Sequence, residues 1–138
     1  MAQAKSKSID TSFKGKGNVI GLEQGKLPPQ ALELEEAVLG ALMIDKNALN
    51  DVIDILEPEC FYKDAHREIY AAIKSLFAES QPIDMLTVSA TLRKNGQLEL
   101  CGGDYGIANL TQKVSSSAHI EFHSRIIVQK HIQRSLIR

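Results

Sequence analysis

Only a few residues in this 138-residue sequence have the types and spacings that chemistry uses. His119 and His123 stand four apart, a separation that can set two imidazoles on one metal ion. A zinc-protease site needs Glu directly after the first His as general base, and Ile120 occupies that place. The nearby acid, Glu121, is turned about 160° from a shared histidine face by the helical period, and no third ligand is evident. A solvated or interface histidine pair is therefore expected, not a metal site. His66 sits beside Arg67 and Glu68 with no nucleophile or polarised substrate indicated, so a structural or capping role is expected. Glu33, Glu35 and Glu36 crowd one helix start, where acids ordinarily compensate the helix dipole.

The segment from Gly15 to Lys26 superficially suggests a phosphate-binding loop. Such a loop needs Gly six residues before the Gly-Lys lysine and a hydroxyl after it, so that backbone N–H groups and the hydroxyl hold phosphate and magnesium. Ile20 and Leu27 stand in those two places, and Ile20 also breaks a dinucleotide-type glycine pattern. Cys60 and Cys101 form no paired-cysteine motif and are expected to be reduced thiols in a cytoplasmic protein. Gly102-Gly103 is accounted for by a tight turn ahead of a helix. No catalytic, cofactor-binding or metal residue is assigned.

The elements that must position these residues are helical. An all-α fold is expected: a compact head of about five helices, then a long C-terminal helix. Residues 1–27 read as a flexible basic tail, 28–117 as the head, and 118–138 as the last helix. Pro28-Pro29 opens the ordered part. Leu34, Val38, Ala41 and Leu42 form the stripe of a first helix, in which Gly40 costs about 1 kcal/mol against Ala and implies close approach of a neighbour. Asp45 is expected to cap a second helix carrying Leu49, Val52, Ile53 and Leu56. Asp64 is expected to cap a central helix with Ala65, Ile69, Ala72, Ile73, Leu76 and Phe77, bracketed by Pro58 and Pro82. Phe61 and Tyr62 precede it and can fold back on its first turn.

A fourth helix is expected over Thr87–Lys94, ended by Asn95-Gly96, and a fifth capped by Asp104 and carrying Ile107, Leu110 and Val114. The last helix is read from near Ala118 to the chain end. Its wheel gathers Phe122, Ile126, Leu136 and Ile137 on one side and spreads Ile120, Ile127, Val128 and Ile132 over the other. A helix apolar on two sides wants a second neighbour. It also ends mid-pattern without a stop signal, as expected if it is cut short or docks on another subunit. Phe122, Ile126, Leu136 and Ile137 are thus the candidate oligomer interface.

Composition agrees with a small aliphatic core: 43% of residues are hydrophobic and only 5% aromatic. The net charge of −1 argues against broad attraction to nucleic acid, and its uneven spread suits protein partners. Arg125, Lys130, Arg134 and Arg138 could touch phosphate, but few aromatics are available to stack bases. No run approaches the roughly 20 apolar residues of a membrane helix.

Several segments carry a resemblance when taken in order. They are Pro28-Pro29, Glu35–Leu42, the run Leu56–Tyr62, His66–Tyr70, Pro82-Ile83-Asp84, Leu98 with Gly102-Gly103 and Tyr105, Arg125–Val128, and Arg134–Ile137. Through them, residues 28–138 resemble the N-terminal domain of bacterial replicative DNA helicases of the DnaB family. Gly106 and Ile107 depart from it, since the family more often has Leu then Ala after the tyrosine. The resemblance implies a helical head followed by a helical hairpin, of which the last helix here would be the first arm. It implies self-association as a dimer or hexamer, with hairpins pairing into a collar above a ring of RecA-like motor domains. It further implies contact with the C-terminal domain of primase and with a helicase loader. ATP and magnesium would belong to the motor domain, as would most contact with DNA, so no cofactor and no enzyme activity are expected of this piece. Two other classes remain open: a stand-alone helical adaptor such as a primase helicase-binding domain, and a small DNA-binding helical module.

Overall fold

The computed structural model describes residues 28–114 and 116–137. The expected tail, 1–27, lies outside them. Six α-helices follow one another: α1 (Leu32–Ile44), α2 (Ala48–Val52), α3 (Asp64–Ala78), α4 (Met85–Lys94), α5 (Gly103–Gln112) and α6 (Ile120–Ser135). Single 3-10 turns at Pro58–Cys60 and Glu99–Cys101 lead into α3 and α5. No strand forms among the described residues, so the all-α class read from the sequence holds.

The helix that the others surround is α1, which packs against α2, α3, α5 and α6. Its residues from Val38 to Met43 are buried without a break, so the single stripe expected from the sequence is too narrow. Close approach at Gly40 is what seats it. A Cβ there would run into the carbonyl oxygen of Leu110 on α5 and the side chain of Val114. The core continues through Leu49 and Leu56, then Phe61 against Tyr70 with ring centres 5.2 Å apart, then Ile69, Ile73, Leu92, Ile107 and Ile127. Each such buried side chain contributes roughly 1.5–3 kcal/mol. Tyr70 donates its hydroxyl to the Leu56 carbonyl at 3.1 Å, so its polar tip is satisfied in the core.

Several helix starts differ from expectation: at α3 and α5 the expected capping acid lies inside the first turn, and at α4 the cap forms earlier in the chain. Asp64 is the first residue of α3, not its cap; it accepts from Arg67 at 2.9 Å, and Lys63 precedes it in extended conformation. Asp104 lies inside α5, where Gly102, with φ of 88°, stands at the cap, and Asp104 instead takes the Arg93 guanidinium at 2.9 Å. The fourth helix begins two residues early, at Met85, because Asp84 and Thr87 make a reciprocal capping box. Asp45 does not cap α2 as expected either: it ends α1 and accepts from the Asn47 N–H at 2.9 Å in the turn, while Asn47 stands at the cap of a helix only five residues long. The last helix starts at Ile120 and stops at Ser135, short of the expected run to the chain end.

Candidate interaction surface

The two apolar sides of α6 have different fates. Ile120, Ser124 and Ile127 are buried against the head, and Val128 packs partly onto it. On the far side Phe122 is 65% exposed and Ile126 is half-buried. Beyond the helix end Leu136 and Ile137 are also exposed. Ile132, grouped by the helical wheel with Ile120, Ile127 and Val128, is 53% exposed. With Ile55 and Val128 it lines a shallow groove framed by Arg125, Gln129 and Gln133. Exposed apolar side chains beside a groove rimmed by polar groups are what an interaction site presents. Glu121 holds Arg125 at 2.8 Å along one edge.

The C-terminal end of α6 is fixed to the head by Arg134. Its guanidinium donates to the carbonyls of Pro29 and Cys60, both at 2.9 Å, and lies 5.3 Å from the Tyr62 ring centre. One planar fork thus ties the start of the ordered chain, the turn before α3 and the end of α6. In the sequence Arg134 reads only as one of four bases that could touch phosphate.

A second polar centre lies beneath. Glu35 is buried and accepts from the Tyr62 N–H and from His66 Nδ1, each at 2.7 Å. His66 is structural, as expected, but Glu35 is not a solvated dipole partner. The signal was present: Glu35 shares a helical stripe with Val38 and Leu42, and His66 shares one with Ile69 and Ile73. Glu33 remains exposed, and Glu36 pairs with Lys113 at 2.8 Å.

The rings of His119 and His123 are 6.2 Å apart, and among the described residues no three His, Cys, Asp or Glu side chains gather as metal ligands would. Both cysteines are free; burial pushes the Cys60 thiol up and the Cys101 thiol up to about 11, with Glu68 adding to the latter. Neither is a ready nucleophile near neutrality. Among the described residues no helix is long and apolar enough to cross a membrane.

Residues 27–129 match the family model described as the DnaB-like helicase N terminal domain. The chain belongs to that family. The match covers α1 to α5 and most of α6. The chain is 43% identical over 114 residues to the replicative DNA helicase DnaB of Rhodothermus marinus, covering 83% of this chain and 12% of that protein. It is 40% identical over 113 residues to the replicative DNA helicase DnaB of Geobacillus stearothermophilus, covering 82% and 25%. The chain therefore spans a quarter or less of these relatives. Its fold superposes with a TM-score of 0.78 on the crystal structure of the N-terminal domain of DnaB helicase from Mycobacterium tuberculosis, at 35% identity, covering 80% of this chain and 77% of that one. A DnaB-like replicative helicase whose structure was described with its interactions with primase shares the fold at a TM-score of 0.68 and 24% identity, covering 78% of this chain and 25% of that one. Within the DnaB family, then, this chain corresponds to the N-terminal domain.

Proposed function

We propose that this chain is the assembly and docking domain of a hexameric, ATP-dependent replicative DNA helicase that unwinds the duplex at replication forks. It self-associates through the outer face of α6, and the domain so assembled receives the C-terminal domain of primase and a helicase loader. ATP, magnesium and most contacts with DNA belong to a motor domain, and the domain itself is not an enzyme; it works in the cytoplasm. The observation that carries this reading is the exposed Phe122 with the half-buried Ile126 on the outer side of α6, and the exposed Leu136 and Ile137 just past its end, while the inner side is already packed. Family membership supports the helicase assignment, and the structure described with primase interactions supports the partner.

Analytical ultracentrifugation of the 138-residue chain tests it. Concentration-dependent dimerisation is expected, and Phe122→Asp or Ile126→Asp should raise the dissociation constant about tenfold or more by burying an unpaired charge. A monomer at millimolar concentration, or a dimer indifferent to both changes, would refute the interface. Calorimetric titration with the primase C-terminal domain tests the partner separately, and DNA-stimulated phosphate release by the purified chain would refute the non-enzymatic role.

A further inference from the structure

A shallow apolar groove of about 400 Å³ runs between α6, which supplies Val128 and Ile132, and the turn after α2, which supplies Ile55. We propose that this groove takes the chain's own N-terminal segment, with Val19, Ile20 and Leu22 laid on those three side chains and the lysines of that segment set against the acids of residues 51–59.

The first observation is where that segment enters the head. One Arg134 guanidinium holds the Pro29 and Cys60 carbonyls, each at 2.9 Å, so the two oxygens lie within about 8 Å of each other. Cys60 is five residues from Ile55 on the groove wall, and Gln133 on the rim adjoins Arg134. Leu22 stands six residues before Pro28, a stretch that spans about 20 Å when extended. The tether is long enough to lay Leu22 in the groove.

The second is charge. Residues 1–27 carry five lysines against two acids, while residues 51–59 carry four acids and no base. Asp51, Asp54 and Glu59 are exposed and enter no ion pair among the described residues, whereas Glu57 holds Lys74 at 2.8 Å. Asp54 adjoins Ile55, so negative charge lies next to the apolar wall. Arg125, a base at the rim, is held by Glu121 at 2.8 Å, which offsets its repulsion of the lysines.

The third is the shape and direction of the groove. It is bounded on one side by a turn and not by a second helix, which suits a single extended stretch of chain. By the helical period, Val128 and Ile132 are turned about 100° from Phe122, so the helix of a second copy seated on Phe122 does not fill it. Tethering supplies what the contacts lack in strength. A segment on a short linker meets its own groove at an effective concentration in the millimolar range, and contacts too weak to hold a free peptide then suffice. Filling the groove leaves Phe122 and Ile126 as the apolar face open to a second copy.

Nuclear magnetic resonance on the methyl-labelled 138-residue chain decides the matter, with and without Phe122→Asp. Overhauser contacts are expected from the methyls of Val19, Ile20 and Leu22 to those of Ile55, Val128 and Ile132, and they should weaken as salt rises. Leu22→Asp, a change outside the head, should lower the docked fraction about tenfold while leaving the other head signals in place. Lys14→Glu combined with Lys16→Glu should lower it as well. A mixture of labelled and unlabelled chains separates the possible occupants. Contacts within one chain support the proposal; contacts only between chains, from a second N-terminal segment or from a second α6, overturn it. An absence of contacts to the groove methyls, or contacts unmoved by Leu22→Asp, also overturns it. The Phe122→Asp chain should keep the contacts although its self-association is weakened, so the groove and the α6 interface stand or fall separately.

Discussion

Glu35 and His66, thirty-one residues apart, meet in the core at 2.7 Å and hold α1 to the first turn of α3. Removing either partner strands the other in a dry site. His66→Ala is expected to destabilise the fold by about 3 kcal/mol, because it leaves the carboxylate buried without its counter-group. Glu35→Gln keeps the volume and one acceptor and is expected to cost less, about 1–2 kcal/mol. Urea denaturation of the two single variants and the double variant should show a coupling of at least 1 kcal/mol. Additive effects would mean that the two side chains act independently.

This pair also marks how far the sequence could be read. The helices were legible because apolar residues recur with the helical period, as at Ile69, Ala72, Ile73 and Leu76, all buried on α3. Gly40 was legible as a contact point because a mid-helix glycine needs a reason. Which polar residue meets which was not legible, since the Glu35–His66 and Arg134–Pro29 bonds span 31 and 105 residues and no local pattern encodes a partner. Helix starts are not legible at Asp64 and Asp104, because an acid in the first turn and an acid at the cap look alike in sequence. The reach of α6 was overestimated, since its apolar residues continue past the helix end at Leu136 and Ile137.

Gly40→Ala tests the closest helix contact in the head. The added methyl meets a backbone carbonyl of α5, which cannot rotate away as a side chain could. A loss of about 1–3 kcal/mol or more is expected, against the small gain that Ala gives in an open helix. Trimming the other neighbour with Val114→Ala should restore only part of it. A stabilised Gly40→Ala chain in thermal denaturation would mean that α1 and α5 sit further apart than described.

Asp45 links the end of α1 to the segment before α6, accepting from the Ser117 hydroxyl and the Asn47 N–H. The Ser117 bond first, and the Asn47 bond second, hold its carboxyl below the usual carboxylate range. A carboxyl depressed in the folded state contributes stability above its unfolded value near 4, and that stability fades as pH falls through the folded value. The acid limb of the stability profile, below about pH 4, should therefore flatten in Asp45→Asn and flatten in part in Ser117→Ala, which removes the larger of the two causes. A carbon-13 titration of the Asp45 carboxyl that reports an ordinary value would remove this contribution.

Ser124 separates the two roles of α6. Its hydroxyl is fully buried on the inner side of the helix and has no hydrogen-bond partner among the described residues. Burying it costs about 1–3 kcal/mol in desolvation that nothing returns, so Ser124→Ala is expected to raise stability by about 1 kcal/mol. Ser124→Val should instead destabilise by overfilling the seam, by about 1–3 kcal/mol. Because Phe122 lies on the opposite side, Ser124→Ala should leave self-association unchanged, while Phe122→Asp should weaken association and leave monomer stability nearly unchanged. Denaturation and sedimentation on both variants check this crossed pattern. If the Ser124 change weakened association as much as the Phe122 change, the two sides of α6 would act as one surface, and the division between packing and docking would fail.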